Sequence, residues 1–275
     1  SVEVTWRNEL PEELGVTSWA AECAEGFVGD AANEEEPFFL WLSIPEPHPP
    51  YTAPPPWCDM YDPADMPMPA RREGELEQLP PHYRKLFEEG LKTAGRIAPT
   101  DVPPETHREV AAMVCGMVSE FDAMVGRVLD ALEDAGLADD TVVAFMSDHG
   151  QMLGDHWMYN MPPSHLDGTA RVPSIWRLPD TFKEGEVSRA LVSHLDFAPT
   201  VLDLAGVPQP EGQAPPEPEA PQQRDAMPGR SLTSVLTGEA ETVNQSVTVE
   251  NDADYLGLRM RTLVTEDHHI TIYPG

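Results

Sequence analysis

The chain has 275 residues, with 48 Asp and Glu against 17 Lys and Arg, for a formal charge of -31. A surface of that sign repels polyphosphate and anionic headgroups, which argues against nucleic acid and membrane surfaces as partners. No apolar run approaches the roughly 20 residues that cross a bilayer. Lys occurs only at 85, 92 and 183. An excess of acidic residues with so little Lys, in an otherwise globular composition, points to a high-salt habitat, where screening removes self-repulsion. Cys23, Cys58 and Cys115 have no metal-ligand spacing, and their odd number does not suggest a disulfide framework.

Taken in chain order, Phe38–Ile44 is a short apolar run that reads as a strand buried on both faces of a parallel sheet. The periodicity then predicts a helix from about Thr106 to Leu137. Thr106 and Glu109 suggest a capping box, and Val110, Val114, Met117, Phe121, Met124, Val125, Val128 and Leu132 give one apolar stripe, with Gly136 as the stop. Thr141–Ser147 reads as a second doubly buried strand. Val172–Leu178 and Ala190–Ser193 are weaker strand candidates, and Asp196–Leu204 reads as a helix opened by Asp196 with Pro199 in its first turn. The Pro-, Gln- and Glu-rich stretch from Val207 to Met227 reads as an exposed loop. Ser246–Glu250, Leu258–Thr265 and His268–Tyr273 read as strands of a small C-terminal unit. Alternating strands and helices imply an α/β layer architecture.

Ligands of open α/β sheets bind outside the carboxyl ends of the strands. Both apolar runs end in reactive side chains: the first in Pro45-Glu-Pro-His-Pro-Pro50, the second in Ser147-Asp-His-Gly150. Asp148 offers a hard oxygen and His149 a nitrogen to one divalent cation, and Gly150 permits the sharp turn this needs. An Asp-His pair alone is also what a capped turn looks like. His48, held among prolines, suits a proton donor to a leaving group, although such a histidine is more often an exposed loop residue.

Four blocks, in order, resemble the sulfatase family of the alkaline-phosphatase superfamily: PFFLWLSIPEPHPPYTAPPPW; MVSEFDAMVGRVLDALEDAGLADDTVVAFMSDHGQMLGDH; RVPSIWRLP followed by LVSHLDFAPTVLDLAGVPQP; and PGRSLTSVLTGE. RMRTLVTEDHHITIY resembles the start of that family's C-terminal strands. The resemblance implies a partial, mostly parallel α/β sheet flanked by helices over residues 1–240, with the Pro-rich loop at 208–228, and the start of a C-terminal β subdomain over 241–275. It also implies hydrolysis of a small-molecule sulfate monoester at a divalent metal. Asp148 and His149 then correspond to metal ligands and His48 to the histidine near the leaving-group oxygen. The metal is expected to be calcium, with manganese the alternative, since a nitrogen ligand is less typical of calcium.

Three departures from the family pattern stand out. No Cys or Ser here stands in the Cys/Ser-x-Pro-x-Arg context whose first residue becomes the formylglycine nucleophile. The sequence therefore reads as a truncated chain, inactive alone. A Lys that many members carry beyond the Asp-His-Gly loop is missing, and His165 is the candidate to take its place against the substrate anion, with Arg171 the alternative, although its Arg-Val-Pro segment suits a structural role better. The third departure is the open choice of metal. A phosphonate monoester or phosphodiester hydrolase, or a non-catalytic binding module, are the alternative readings.

Overall fold

The computed structural model describes residues 5–89, 102–208, 227–253 and 257–274. It divides into two units: residues 1–141, 148–162 and 166–171, and residues 142–147, 163–165 and 172–275.

In the first unit, β1 (Thr5–Arg7) and β2 (Tyr51–Ala53) form a parallel ladder with Thr5 opposite Tyr51. Helix α1 (Val16–Ala31) turns small residues inward, with Ala20, Ala21, Ala24 and Val28 buried. Its outer face carries Val16, Trp19, Cys23 and Phe27, and Trp19 is 61% exposed. Two short helices follow, α2 (Glu75–Gln78) and α3 (Pro81–Glu89). The long helix α4 (Thr106–Asp134) buries Val110, Val114, Met117, Met124 and Leu132, the three- and four-residue stripe read from the sequence. Val110, Val114 and Met117 pack with Tyr51, Ala53 and Tyr159 in one core cluster. At about 1.5–3 kcal/mol for each large apolar side chain, that cluster anchors β2 on α4. A Cβ on Gly116 would sit 2.3 Å from the Trp57 carbonyl oxygen, so the close approach of α4 to that turn requires glycine. The one-turn helix α5 (Asp167–Ala170) also belongs to this unit.

In the second unit, β3 (Val143–Met146) pairs antiparallel with β4 (Ser174–Arg177). Helices α6 (Phe197–Leu204) and α7 (Thr233–Leu236) follow. Buried Asp196 accepts hydrogen bonds from the Ser193 and Arg230 amides at 2.9 and 2.8 Å and from Asn244 Nδ2 at 2.9 Å. Strands β5 (Val247–Ala253), β6 (Leu258–Val264) and β7 (His269–Ile272) form an antiparallel meander where three C-terminal strands were expected.

Several local expectations are corrected. Among the described residues Phe38–Ile44 carries no ladder; its residues alternate between half-buried and exposed, with Phe39 66% exposed. Apolar side chains create an appetite for burial, but a strand also needs a neighbouring row of backbone donors and acceptors. Residues in β3 are half-buried, and its ladder is antiparallel rather than parallel. Among the described residues only β1–β2 is a parallel pair. The capping box at Thr106 is absent, because Thr106 already lies in the helix and its amide donates to the Pro103 carbonyl at 3.0 Å. Ala190–Ser193 forms no strand; Ser193 instead makes a capping box with Asp196 and starts the turn leading into α6. Most of the Pro-rich stretch, residues 209–226, lies outside the described residues.

Candidate functional site

The loop after β3 brings Asp148 and His149 together. Asp148 Oδ1 accepts the His149 amide at 2.8 Å, and Asp148 Oδ2 lies 3.6 Å from His149 Nε2. His149 Nδ1 is 2.9 Å from the Gly150 carbonyl oxygen. A carbonyl can only accept, so Nδ1 carries a proton and donates it, and a cation could take only Nε2, the atom beside the carboxylate. Asp148 is exposed and His149 half-buried, so the carboxylate faces water.

The turn is held from below. The Gly150 amide donates to the Thr169 carbonyl at 3.0 Å, and a Cβ on Gly150 would stand 2.2 Å from the Gly168 carbonyl oxygen. Glycine at 150 thus serves a backbone approach. Met152 and Met158, both buried, root the rest of the loop, and the Met152 amide donates to the Asn160 carbonyl at 3.0 Å. In the second unit, His194 donates from Nε2 to the Ser147 carbonyl at 2.8 Å and so fixes the residue before Asp148. In the sequence His194 stands only two residues ahead of the capping Asp196, a place that gives no hint of that contact.

His48 lies in the same unit as the pair, exposed on a turn closed by its amide on the Pro45 carbonyl at 2.9 Å. Its Nδ1 donates to the Pro49 carbonyl at 2.6 Å. Three residues on, Tyr51 is fully buried, and its hydroxyl reaches Gln151 Oε1 at 3.5 Å, the long end of a hydrogen bond. That contact ties the His48 loop to the Asp-His loop at positions three residues past His48 and two past His149. Burial pushes the Tyr51 hydroxyl pKa up, with Tyr159 adding to the effect, so the group stays neutral. Beneath it, buried His107 bonds to the Tyr159 hydroxyl. Burial, then the nearby Arg71 charge, hold His107 below the usual imidazole range.

His165 stands in the second unit, where its Nδ1 bonds Thr262 Oγ1 at 2.6 Å. It is buried, and burial, then His269 and Arg261, push its pKa down to about 4. At neutral pH it is an uncharged hydrogen-bonding group and supplies no positive charge for an anion.

Among the described residues, no three His, Cys, Asp or Glu side chains gather to hold a metal ion. Asp148 and His149 offer one oxygen and one nitrogen, a mixed donor set that fits part of the four to eight positions a divalent cation fills. No helix among the described residues is long and apolar enough to cross a membrane.

This α/β fold with helices and small sheets is that of part of an alkaline-phosphatase-superfamily protein: a phosphonate monoester hydrolase from Silicibacter pomeroyi superposes with a TM-score of 0.75 at 26% identity, covering 96% of this chain and 54% of that one. Residues 17–207 match the Sulfatase family model, and the chain belongs to the sulfatase family. The multifunctional alkaline phosphatase superfamily protein PehA of Trinickia caryophylli is 30% identical over 210 residues, covering 72% of this chain and 40% of that protein. An arylsulfatase of Clostridium perfringens is 29% identical over 204 residues, covering 73% of this chain and 40% of that one. The chain thus spans less than half the length of these two relatives.

Proposed function

We propose that this chain is part of a hydrolase that cleaves sulfate monoesters at a divalent cation, with Asp148 and His149 as two of the ligands and His48 as the proton donor to the leaving oxygen. The observation that carries this reading is the pair itself, with Asp148 Oδ2 and His149 Nε2 3.6 Å apart and the imidazole's other nitrogen committed to a backbone carbonyl. A bound cation there would supply positive charge opposite the ester's oxygens. His48 holds one proton on Nδ1 against Pro49, so donating from Nε2 requires the doubly protonated ring.

Equilibrium dialysis against Ca2+ and Mn2+ tests the pair. The chain is expected to bind a cation, and Asp148→Ala or His149→Ala to lose it. Binding unchanged in both variants would falsify the assignment and favour a module that keeps the fold without the chemistry.

A second reading has an observation of its own. The Silicibacter pomeroyi protein aligned above is a phosphonate monoester hydrolase, and the Trinickia caryophylli relative is described as multifunctional. Aryl sulfate and aryl phosphonate monoesters assayed side by side on the natural gene product separate the two. Faster sulfate release supports the first reading, and faster phosphonate cleavage replaces it with the second.

A further inference from the structure

The loop that follows the Asp-His pair has a backbone that its own residues do not favour. Leu153, His156 and Trp157 have φ of 44°, 50° and 65°, and Gly154 between them has φ 101°. Left-handed backbone costs a non-glycine residue about 1–2 kcal/mol. Three such residues within five persist only if the surroundings over-determine them.

What determines them is the segment 69–75. Arg71 Nε donates to the Gly154 carbonyl at 2.8 Å, and the Arg71 guanidinium lies 4.7 Å from the centre of the Trp157 ring. The Ala70 amide donates to Asp155 Oδ1 at 2.6 Å, and the Ala70 carbonyl accepts the His156 amide at 2.9 Å. Trp157 Nε1 reaches the Arg72 carbonyl at 3.4 Å. The deepest contact is from His156 Nδ1 to Glu75 Oε1 at 2.7 Å, with the Glu75 side chain only 3% exposed. Burial alone would raise the Glu75 pKa, but the His156 and Arg72 hydrogen bonds and charges bring it below the ordinary carboxylate value. The pair is therefore a charge-assisted bond, which outlasts competition from water better than the exposed contacts around it.

The clamped tip is coupled to the pair by backbone. The Gly154 amide donates to the Met158 carbonyl at 2.7 Å, the Asp155 amide to Met152 at 2.7 Å, and the Met152 amide to Asn160 at 3.0 Å. Met152 is two residues from Gly150, whose carbonyl orients the His149 ring. A tip that relaxed toward right-handed backbone would rotate Met152 and carry that carbonyl with it.

We infer that Glu75 is a positioning residue for the Asp148–His149 pair, acting through His156 to hold loop 150–160 in the backbone that sets the pair's geometry. This inference rests on the reading of Asp148 and His149 as metal ligands. It assigns Glu75 no contact with substrate or cation.

The test uses the full chain with Mn2+ alone as probe, by titration calorimetry well below the melting temperature, together with amide hydrogen exchange. Glu75→Leu removes the acceptor. His156→Asn shortens the reach to Glu75 while keeping a residue that tolerates left-handed backbone, so it answers even if Glu75→Leu folds poorly. Both are expected to weaken Mn2+ binding by about tenfold, the usual loss when a ligand's supporting partner is removed. Faster exchange at the Gly150, Gly154 and His156 amides should accompany it, with helix α4 unchanged. Glu75→Gln keeps an acceptor for Nδ1–H and should recover most of the affinity, a rescue that a loss of general stability would not give. Wild-type Mn2+ affinity in both Glu75→Leu and His156→Asn overturns the inference. If Mn2+ binding survives Asp148→Ala, the metal reading fails instead. The clamp is then decided by the Gly150 amide in Glu75→Leu: faster exchange supports the coupling, and unchanged exchange overturns it.

Discussion

Replacing Glu120 with Gln should stabilise the protein above neutral pH and leave it nearly unchanged near pH 5. Glu120 sits midway along α4, 4% exposed, and faces Glu46 and Glu12. Glu46 Oε2 is itself buried, with no hydrogen-bond partner among the described residues. Burial first, then the two neighbouring carboxylates, push the Glu120 pKa from the ordinary 4.5 up to about 7. Between those values the folded chain keeps a proton that the unfolded chain has released, so stability falls as pH rises through the window and then levels off. At about 1.4 kcal/mol for each pH unit, the ionised carboxylate costs about 3 kcal/mol above the window and about 0.7 kcal/mol at pH 5. With urea slopes of about 1–3 kcal/mol per molar, Glu120→Gln should raise the unfolding midpoint by roughly 1–3 M at pH 8. Urea unfolding followed by circular dichroism at both pH values decides it. An equal gain at pH 5 and pH 8, or none at pH 8, refutes the reasoning, because the effect would then come from shape and not from charge.

Gly150→Ala should cost about 1–3 kcal/mol and weaken divalent-cation binding, since its Cβ would meet the Gly168 carbonyl oxygen at 2.2 Å; thermal melts and dialysis measure both. His165→Leu should flatten the acid limb of stability. His165 is held at about 4, below the ordinary 6.5, so the unfolded chain takes up the proton first and wild-type stability is lost as pH falls through that window. At about 1.4 kcal/mol per pH unit the difference in slope amounts to about 3 kcal/mol, readable from urea midpoints between those values. With a formal charge of -31, the melting temperature should rise as KCl goes from about 0.1 to about 1 M and the screening length falls from about 10 to about 3 Å; a flat or falling melting temperature contradicts the high-salt reading.

Helix α4 was legible because its stripe repeats over about six turns and local spacing alone specifies it. The C-terminal strands were legible for a similar reason, with β-branched and polar residues alternating between clear turns. The adjacency of Asp148 and His149 needed only two neighbouring letters and a glycine. The misread elements are those whose partners lie elsewhere. Phe38–Ile44 has the composition of a strand, but composition does not say whether a backbone row lies alongside. β3 has the right residues, but the direction of its neighbour is set by the chain path from Met146 to Ser174. Glu75 and His156 are 81 positions apart, and His165 and Thr262 are 97 apart. No local pattern announces such pairs, because each half alone is an ordinary polar residue.

The outer face of α1 bears on how this protein can be handled. Val16, Trp19 and Phe27 form a greasy strip around the exposed thiol of Cys23. In dilute buffer, mutual repulsion between acidic molecules keeps such strips apart; in brine that repulsion is short-ranged while apolar attraction strengthens. Salt that screens this repulsion thus also invites neighbours to adhere, with a thiol at the point of contact. Preparations in concentrated salt will need a reductant to prevent covalent cross-linking.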